Sequence, residues 1–522
     1  MTLLTTQRTR RDCDVIEPLR LLGAHRGAWT FIGISPPGSD GTPVTSDPNR
    51  RSEAGHVAVA ILAAGHGTRM KSSTPKHLLP VAGVPIVERV IRAGLAIEPD
   101  QVVAVVNVEL LDLPERLGMT GRFEAIVQSY PYGTAGAVRS ALDHVRPCSW
   151  IVSLLGDSPL LTGETVRALL DGASETGSRV TILTCVLEDA KSYGRIERDA
   201  SGNAIRIVEV KNDKPAFRAG PTEINSGIMV LDAEWARGAL DRLEANAGTG
   251  ELQLTDILDL AIADAVEGEP WPISTVPTHP DVALGINDRV EQAEADAVIR
   301  RRVRERLQRQ GVTIIGAETV FIDESVEVGR DSVIQPFSVL TGSTRIGAGC
   351  LIGPHAILHN ATLADGVVVR SSTVSDSTIG EGSDVGPYAH IRGQTVVGPD
   401  VHVGTSAEMK NSRIGTGSRV GHFSYLGDAT VGEHVNIGAG AITANYDGIH
   451  KHSTWIGDNV FIGSDSILIA PVAIGDGART GAGAVVNRDV AANTTVVGMP
   501  ARSIVRREAE TDLVTSSDTI RE

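Results

Sequence analysis

Aliphatic residues recur at every sixth position through the second half of the chain, and glycine follows most of them. The pairs begin at Ile346-Gly347 and continue to Ile474-Gly475, with neighbours six or twelve residues apart at most steps. This repeat is typical of a parallel β-helix, in which the aliphatic side chain points inward and the glycine permits a tight corner. The pattern predicts a coil whose stacked turns bury one continuous core. A glycine-rich β-sandwich is the alternative, but it leaves the constant spacing to chance.

The repeat slips at several places, and one slip adds a polar segment. Two of the slipped steps have eleven residues, and the step from Ile437 to Ile456 has nineteen. The added segment includes 445–452, which carries Tyr446, Lys451 and two histidines. Insertions in repeat proteins map to loops, often on the binding face. We therefore expect a function of the coil to lie near this loop.

A different pattern precedes the coil, in which short apolar runs alternate with segments of helical periodicity. Residues 57–62 are continuously apolar, which suits a strand buried on both faces of a parallel sheet. Similar runs follow at 101–106, 151–155 and 180–186, with helical patterns between them. This alternation predicts a doubly wound, Rossmann-like α/β sheet.

These patterns divide the chain into two folded domains joined by a helix. Residues 1–54 have linker composition, so we expect a disordered extension or an over-long assigned start, with a partner-binding tail as the alternative. The segment 287–311 is charged and helical in pattern, and we place its arginines on a solvated basic face. The predicted boundaries are 1–54 for the extension, 55–286 for the α/β domain, 287–311 for the linking helix, 312–502 for the β-helix and 503–522 for a flexible tail.

Composition narrows the class of partner. A net charge of −16 and a pI near 5.4 argue against a surface that binds nucleic acid. The four cysteines are scattered without metal or disulfide spacing, which is typical of reduced thiols. No apolar run reaches the ~18 residues that cross a bilayer, and the N-terminal segment lacks the apolar stretch of a signal peptide. We therefore expect a cytoplasmic protein that binds neither nucleic acid nor a membrane.

Residues that could bind a phosphate or a metal ion follow two strands of the α/β domain. The glycine-rich loop 65–70 after the first strand brings backbone N–H groups to a phosphate, and Arg69 and Lys76 add positive charge. The loop is neither a Walker loop nor a dinucleotide fingerprint. Asp157 closes a later apolar strand, at the edge where open sheets bind ligands, and an aspartate beside phosphates usually holds Mg²⁺. A helix N-cap is the alternative role for Asp157.

Motifs in both halves resemble one bacterial enzyme family over about residues 57–489. The first half carries Leu62-Ala63-Ala64-Gly65-x-Gly67-Thr68-Arg69-Met70, Gln128 with Gly133-Thr134, Gly156-Asp157, Tyr193-Gly194-Arg195-Ile196 and Asn225-Ser226-Gly227. The second half carries Glu408-Met409-Lys410, Gly421-His422-Phe423-Ser424-Tyr425-Leu426-Gly427-Asp428 and Asn445-Tyr446-Asp447-Gly448. These motifs are similar to those of the bifunctional UDP-N-acetylglucosamine pyrophosphorylases/glucosamine-1-phosphate N-acetyltransferases.

The resemblance implies a fold, two activities and an assembly. The fold is an α/β nucleotidyltransferase domain followed by a left-handed parallel β-helix of hexapeptide repeats, and family members are homotrimers. The first activity transfers acetyl from acetyl-CoA to glucosamine 1-phosphate. The second is Mg²⁺-dependent uridylyl transfer from UTP to N-acetylglucosamine 1-phosphate, with release of pyrophosphate. Such a phosphoryl transfer needs positioning and charge neutralisation more than a covalent nucleophile.

The resemblance also implies roles for individual residues. Those for the nucleotide and its sugar are Leu62, Ala63, Ala64, Gly65, Arg69, Lys76, Gln128, Gly133, Thr134, Gly194, Glu209, Asn225 and Asn287, with Asp157 and Asn287 as ligands of Mg²⁺. Those for glucosamine 1-phosphate are Arg392, Lys410, Tyr425, Asn445 and Lys451. Those for acetyl-CoA are Asn436, Ala439, Tyr446, Ser464 and Ala482. His422 is the implied general base for the attacking amine, because histidine exchanges protons near neutral pH.

Two departures from the family pattern bear on specificity. Ala135-Gly136 stands where relatives read Gly-His, and the resulting loop resembles that of other sugar-phosphate nucleotidyltransferases. Met499 stands where some relatives place an arginine at the coenzyme, although Arg502 is close. The first departure concerns the choice of nucleotide, and the second concerns contacts with the coenzyme.

Two other functions compete with the bifunctional enzyme. One is a single-activity sugar-1-phosphate nucleotidyltransferase whose β-helix serves assembly only, and Ala135-Gly136 favours it. Gln128 and the set of residues from His422 to Lys451 argue against it. The other is a non-catalytic scaffold, and the joint presence of residues for both implied sites argues against that function.

Overall fold

The computed structural model describes residues 55–65, 67–130, 133–209, 217, 220–246, 250–283 and 285–504. The predicted extension at 1–54 therefore lies outside the described residues, as does most of the predicted tail. Within the described ranges, no helix is long and apolar enough to cross a membrane.

The first half of the chain folds into a mixed sheet, because its apolar runs are long enough to form strands that are buried on both faces. Its strands are β1 Val57–Ala63, β2 Pro80–Val81, β3 Val84–Pro85, β4 Gln101–Val106, β5 Glu124–Val127, β6 Trp150–Leu155, β7 Val180–Leu187, β8 Arg195–Arg198, β9 Ala204–Val208, β10 Thr222–Asp232 and β11 Ile273–Pro277. Apart from the β2–β3 hairpin, the strands pair in the order β11-β7-β10-β6-β1-β4-β5, with β8 and β9 attached beside β10. The parallel strands β6, β1 and β4 place their carboxyl ends at one edge.

Helices cover both faces of this sheet. They are α1 Ile86–Leu95, α2 Leu113–Arg116, α3 Thr134–His144, α4 Gly163–Thr176, α5 Ala233–Leu240, α6 Ile257–Ala263 and α7 Arg289–Arg309. On one face, α1 and α4 pack against the sheet in a core that includes Ile91 and Leu169. On the other face, α3, α5 and α6 form a second core that includes Val138 and Ile257. This two-sided layering is the doubly wound arrangement that the alternating pattern predicts.

Helix α7 joins the sheet to the coil. Its buried apolar residues belong to the same core that fills the coil. The Arg300 guanidinium lies 2.6 Å from Asp296 and 3.2 Å from Asp323, and only 15% of its side chain is exposed. The predicted solvated basic face is therefore wrong for Arg300, because this position packs against the first turn of the coil. It is correct for Arg301, which is exposed.

The second half of the chain forms a three-sided parallel β-helix. The first face contains Thr313–Ile314, Val333–Ile334, Leu351–Ile352, Val368–Val369, Asp384–Val385, His402–Val403, Arg419–Val420, Asn436–Ile437, Phe461–Ile462, Arg479–Thr480, Thr495–Val497 and Arg502–Ile504. The second contains Phe321–Ile322, Val339–Thr341, Ile357–His359, Thr373–Ser375, His390–Arg392, Glu408–Lys410, Tyr425–Gly427, Ile442–Ala444, Ile467–Ile469 and Val485–Val486. The third contains Glu327–Val328, Arg345–Ile346, Thr362–Leu363, Thr378–Ile379, Val396–Val397, Arg413–Ile414, Ala429–Val431, Thr454–Ile456 and Val472–Ile474.

The register of the coil follows the aliphatic repeat. Val420 pairs with Ile437 seventeen residues later, whereas Ile437 pairs with Ile462 twenty-five residues later. The longer turn contains the polar insertion, which leaves the pairing of the strands undisturbed. Parallel pairing in three faces excludes the β-sandwich. The last strand, Arg502–Ile504, runs antiparallel to Thr495–Val497 and includes two residues that the sequence assigned to the tail.

Candidate active sites

The carboxyl end of β1 leads into a loop whose two cations contact oxygen atoms from distant segments. Lys76 Nζ lies 2.6 Å from Asp157 Oδ2, and only 9% of the lysine side chain is exposed. Arg69 Nη2 donates a hydrogen bond of 2.8 Å to Asn287 Oδ1. Each implied phosphate-binding cation therefore lies beside one of the two implied metal ligands. Leu62 and Ala63 end β1 at this point, and Ala64 and Gly65 follow them.

Asp157 is held at this edge by a glycine that precedes it. Gly156 N donates to Leu62 O at 2.9 Å, and a Cβ at position 156 would lie 2.8 Å from Ala63 Cβ, so no larger residue fits. The backbone of Ile286 donates to Asp157 O at 2.9 Å, which brings the segment carrying Asn287 alongside. The alternative role of Asp157 as a helix N-cap is wrong, because Thr162 caps α4.

The donor set at this edge fits Mg²⁺. Asp157 offers a carboxylate and Asn287 an amide oxygen, and both are hard oxygen ligands. Mg²⁺ usually takes one or two protein ligands and completes its shell with water and substrate phosphates. Among the described residues, no group of three or more His, Cys, Asp or Glu side chains forms a metal cage. A metal here would therefore depend on the substrate for part of its coordination.

The implied uracil loop is fixed by a glycine and a helix start. Gln128 Nε2 donates to Gly133 O at 3.3 Å. Gly133 has a φ of 124°, and a Cβ there would lie 2.2 Å from Leu252 O. The Thr134 hydroxyl accepts a hydrogen bond from Leu254 N at 3.0 Å. The loop is thus anchored to the segment 252–254, and Gln128 lies against it.

The three residues implied for the sugar come together where β8, β9 and β10 meet. Asn225 N donates to Gly194 O at 2.8 Å. A Cβ at Gly194 would lie 2.5 Å from Ile207 and 3.5 Å from Glu209 Oε1, so this glycine leaves room beside the carboxylate. The Tyr193 hydroxyl accepts from the backbone N–H of Gly285 at 3.2 Å. This bond connects the sugar residues to the segment that carries Asn287.

A buried histidine, which the sequence motifs did not identify, lies next to the lysine implied for phosphate binding. His77 follows Lys76 in a short 3-10 turn and is 3% exposed. Burial lowers the pKa of His77 to about 4, with Lys76 acting in the same direction and Asp157 opposing it. The imidazole is therefore neutral at neutral pH. Its position beside Lys76 was the available signal, but only the fold shows that the side chain is buried.

On the coil, the implied base and coenzyme residues form one column. His422, Ala439, Ser464 and Ala482 each come directly after the glycine that follows a strand of the first face. A Cβ at Gly463 would lie 2.7 Å from Ala482 N, which shows how closely successive corners stack. His422 thus lies at the same corner as the coenzyme residues, on the preceding turn. Its side chain is exposed, and among the described residues no hydrogen bond reaches the imidazole.

Cations from three segments converge on the second face beside this column. Arg392 pairs with Lys410 in register on successive strands, and the Arg392 guanidinium forms an ion pair with Glu408. Lys451, on the inserted loop, lies close enough to Lys410 to lower the pKa of that amine, and Arg392 adds to the effect. Mutual repulsion of this kind is relieved when an anion such as a phosphate binds. The arrangement therefore suits a sugar phosphate.

A glycine on the same face leaves space for two polar side chains. A Cβ at Gly427 would lie 2.5 Å from the Tyr425 hydroxyl and 2.7 Å from Asn445 Nδ2. Asp428 accepts a hydrogen bond of 2.5 Å from Asn445 Nδ2 and one of 2.6 Å from Asn411 Nδ2. The hydroxyl and the amide thus lie beside Gly427, which pairs in register with Lys410 on the strand before it.

The inserted loop is ordered by its own hydrogen bonds. Asp447 accepts from the backbone N–H groups of Ile449 and His450, and these bonds, together with His452, hold the pKa of Asp447 well below its usual range. Tyr446 pairs with Lys451 across the loop, and the tyrosine ring is exposed. Of the remaining coenzyme residues, Asn436 lies on the strand that leads to the Ala439 corner.

The structure does not bring the two sets of site residues together. Helix α7 packs against the first turns of the coil, at Thr313–Ile314 and Phe321–Ile322. The strand Tyr425–Gly427 lies six strands further along the second face. At about 4.8 Å per strand, this is about 29 Å along the coil axis. The molecule therefore has two separate candidate sites.

Three family models match the two halves. The MobA-like NTP transferase domain matches residues 59–249. The GMPPB C-terminal domain matches 316–414, and the bacterial transferase hexapeptide (six repeats) matches 453–488. Together with the parallel strands of the coil, these matches confirm the predicted fold class, an α/β nucleotidyltransferase domain followed by a left-handed hexapeptide β-helix.

Curated relatives match both halves in one alignment. Bifunctional protein GlmU of Exiguobacterium sp. is 41% identical over 82% of this chain and 94% of that protein. Bifunctional protein GlmU of Corynebacterium diphtheriae is 40% identical over 84% of this chain and 91% of that protein. The protein of the same name from Geobacillus thermodenitrificans is 39% identical over 84% and 94%. The chain therefore belongs to the family of bifunctional protein GlmU, the uridylyltransferase and acetyltransferase family that its motifs resemble.

Proposed function

We propose that the chain makes UDP-N-acetylglucosamine by two transfers at two separate sites, with acetyl transfer on the coil and uridylyl transfer at the edge of the α/β sheet. Acetyl-CoA, UTP and the sugar phosphates are its substrates. The observation that carries the proposal is the corner column in which His422 lies one turn from Ala439, beside three converging cations. Identity to bifunctional relatives across both halves argues against the single-activity alternative.

In the acetyl transfer, His422 removes a proton from the amine of glucosamine 1-phosphate. The amine nitrogen forms a bond to the acetyl carbonyl carbon, the carbon–sulfur bond of the thioester breaks, and the thiolate takes up a proton. Arg392, Lys410 and Lys451 hold the sugar phosphate, so that the amine is fixed next to the imidazole. The coenzyme lies along the corner column of Ala439, Ser464 and Ala482, with Asn436 and Tyr446 at its sides. Tyr425 and Asn445 bind sugar hydroxyls.

In the uridylyl transfer, the phosphate oxygen of N-acetylglucosamine 1-phosphate attacks the α-phosphorus of UTP, and pyrophosphate leaves. Arg69 and Lys76 hold the phosphates and neutralise charge, and the backbone from Leu62 to Gly65 approaches them closely. Gln128, Gly133 and Thr134 hold the uracil edge, and Gly194, Glu209 and Asn225 hold the sugar. Asp157 and Asn287 would hold Mg²⁺, which supplies additional positive charge at the phosphates when bound.

Removing the metal separates the two activities. Chelation of Mg²⁺ with EDTA should stop uridylyl transfer and leave acetyl transfer unchanged, because the proposed metal ligands, Asp157 and Asn287, belong to the uridylyl site. Each half-reaction is assayed alone, by pyrophosphate release and by free thiol release. Loss of both activities on chelation, or of neither, would contradict the assignment.

Single substitutions test the two sets of residues. His422→Asn keeps a polar side chain but removes the base, so kcat for acetyl transfer should fall by about 10²–10⁴ while uridylyl transfer is retained. Asp157→Asn should have the reverse effect. Equal thermal midpoints would show that both variants fold. If either variant lost both activities while folded, the two-site assignment would be wrong.

The third part of the proposal is a homotrimer in which neighbouring coils close the acetyltransferase site. Phe423 beside the base and Tyr446 on the loop are 69% and 61% exposed in the single chain, and aromatic side chains are enriched among the residues that contribute most to binding at interfaces. Sedimentation equilibrium should give three times the chain mass. A monomer with full acetyltransferase activity would contradict this arrangement.

A further inference from the structure

A cavity of about 330 Å³ lies outside both proposed sites, where α1, the start of α4, helix α7 and the first turns of the coil meet. Four guanidinium groups line it, together with the apolar residues Leu161 and Val303. The arginines are Arg89, Arg92, Arg302 and Arg306. Such a concentration of positive charge is unexpected in a chain whose net charge is −16. A cavity of this size is at the lower end of the range for small-molecule sites.

Nearby carboxylates neutralise only part of this charge. Arg89 forms an ion pair of 2.6 Å with Glu324, the single carboxylate among the lining residues. Arg92 pairs with Glu88 on its own helix, and Arg302 lies 3.9 Å from Asp281, which also contacts Arg301. These contacts leave an excess of positive charge at the cavity.

Among the arginines of the cavity, Arg306 is the one best placed to bind an anion. Its Nη2 donates to the backbone carbonyls of Glu324 and Val326, the second at 3.5 Å. Within the part of the chain that the structure describes, no carboxylate lies within ion-pair distance of Arg306. A guanidinium has five N–H donors, so several of these donors remain available to a ligand.

Arg89, in contrast to Arg306, is a buried member of the cavity lining. Arg89 is 8% exposed and also donates to Val81 O at 2.7 Å through Nη2. Desolvation lowers the pKa of this guanidinium, and Glu324 opposes the effect. The cavity is also lined by Thr162, which caps the 14-residue helix α4, and by Gly163, the first residue of that helix. The N-terminal end of a helix favours negative charge, in agreement with the arginines.

We propose that this cavity binds a small phosphate-bearing molecule, with the phosphate on Arg92, Arg302 and Arg306 and an apolar or aromatic part against Leu161 and Val303. Phosphate matches the fork geometry of guanidinium groups, which bind it through paired hydrogen bonds. The lining combines guanidinium groups with apolar side chains, and this mixture favours an organic phosphate of about the size of a nucleoside monophosphate over a bare anion.

The position of the cavity connects it to the uridylyl site. The segment from Pro159 to Thr162 begins two residues after Asp157, and Arg302 donates to Leu160 O at 3.0 Å within it. A ligand in the cavity would therefore contact the segment that follows the implied metal ligand. The binding proposal itself stands independently of the chemistry at Asp157.

The test is calorimetric titration of the full chain with two probes, AMP and inorganic phosphate, in the absence of Mg²⁺. Wild type should bind AMP at least tenfold more tightly than phosphate, because only AMP fills the apolar side. Arg306→Gln and Arg92→Gln, both at exposed positions, should each weaken AMP binding about tenfold by removing a charged hydrogen-bond donor. Arg309→Gln is the matched control on α7, since this arginine is exposed and does not line the cavity.

A second control separates this cavity from the uridylyl site. Lys76→Gln should bind AMP with wild-type affinity, whether or not the variant retains activity. The proposal would be overturned if wild type bound neither probe, if AMP and phosphate bound equally, or if Lys76→Gln lost AMP binding while Arg306→Gln kept it. Thermal midpoints of all variants establish that they are folded.

Discussion

His77 gives the clearest case in which a single buried residue determines a property of the protein. Burial lowers the pKa of His77 from 6.5 to about 4, so the unfolded chain binds a proton more readily than the folded chain between these values. The contribution of His77 to the free energy of unfolding is therefore fully present above pH 6.5 and is lost as the pH falls towards 4. The full loss from this residue is about 3 kcal/mol.

His77→Leu removes this titration. In urea unfolding, wild type should lose more stability than the variant as the pH falls from 6.5 towards 4, because other titrating groups are shared by the two proteins. An equal loss in both proteins would show that His77 does not carry the effect. The comparison requires only the difference between the two proteins at each pH.

Gly427 is a second residue at which a single substitution should change a measurable property. Alanine at this position would bring a methyl group within 2.5 Å of the Tyr425 hydroxyl and 2.7 Å of Asn445 Nδ2, so both side chains would have to move. Gly427→Ala should raise KM for glucosamine 1-phosphate in acetyl transfer by tenfold or more, since a misplacement of about 1 Å can cost about 10²-fold. Uridylyl transfer by the same variant is the internal control, and an unchanged KM in acetyl transfer would refute the role given to Tyr425 and Asn445.

At the scale of single residues, the sequence identifies which residues belong to a site better than it identifies which residues contact each other. Motifs identified Lys76 and Asp157, but the two are 81 positions apart, and only the fold shows that their charges meet. The column that contains His422 follows from the repeat, yet the insertion between Ala439 and Ser464 interrupts the constant count. The burial of His77 has no signal in the sequence, because it depends on packing against distant segments.

At the scale of elements, α7 shows what the sequence pattern predicts and what it does not. The charged periodicity identifies a helix, but it does not reveal which arginines turn towards the coil. Arg300 does so, and it forms ion pairs with Asp296 and Asp323. By contrast, the coil was predictable in detail, because one aliphatic residue in six is enough to define the inward positions of every turn.

A matched pair of substitutions on α7 tests this difference. Arg300→Met should lower the free energy of unfolding by roughly 2–4 kcal/mol, since it removes the cation that pairs with Asp296 and with the largely buried Asp323. Arg309→Met, at an exposed position that pairs with Glu305, should change it by less than about 0.5 kcal/mol. Urea unfolding measures both, and similar effects from the two variants would rule out the anchoring role of Arg300.

At the scale of the whole molecule, the main feature is that the two candidate sites are separate. The acetyl site is six strands along the second face from the end of the coil that packs against α7, which is about 29 Å. The described residues include no arm that carries an intermediate over this distance. N-acetylglucosamine 1-phosphate should therefore leave the first site and reach the second by diffusion.

Isotope dilution tests this expectation. In a reaction that starts from unlabelled glucosamine 1-phosphate, added ¹³C-labelled N-acetylglucosamine 1-phosphate should enter the product in proportion to its share of the free pool. Mass spectrometry of UDP-N-acetylglucosamine gives that share directly. Exclusion of the label from the product would indicate direct transfer between the sites.

The central claim, two chemistries at two sites of one chain, is tested most directly by product masses from a single mixture of glucosamine 1-phosphate, acetyl-CoA, UTP and Mg²⁺. Wild type should form UDP-N-acetylglucosamine. Asp157→Asn should accumulate N-acetylglucosamine 1-phosphate, and His422→Asn should leave glucosamine 1-phosphate unchanged. UDP-N-acetylglucosamine from the Asp157 variant at the wild-type rate, or acetylated sugar from the His422 variant at the wild-type rate, would contradict the account.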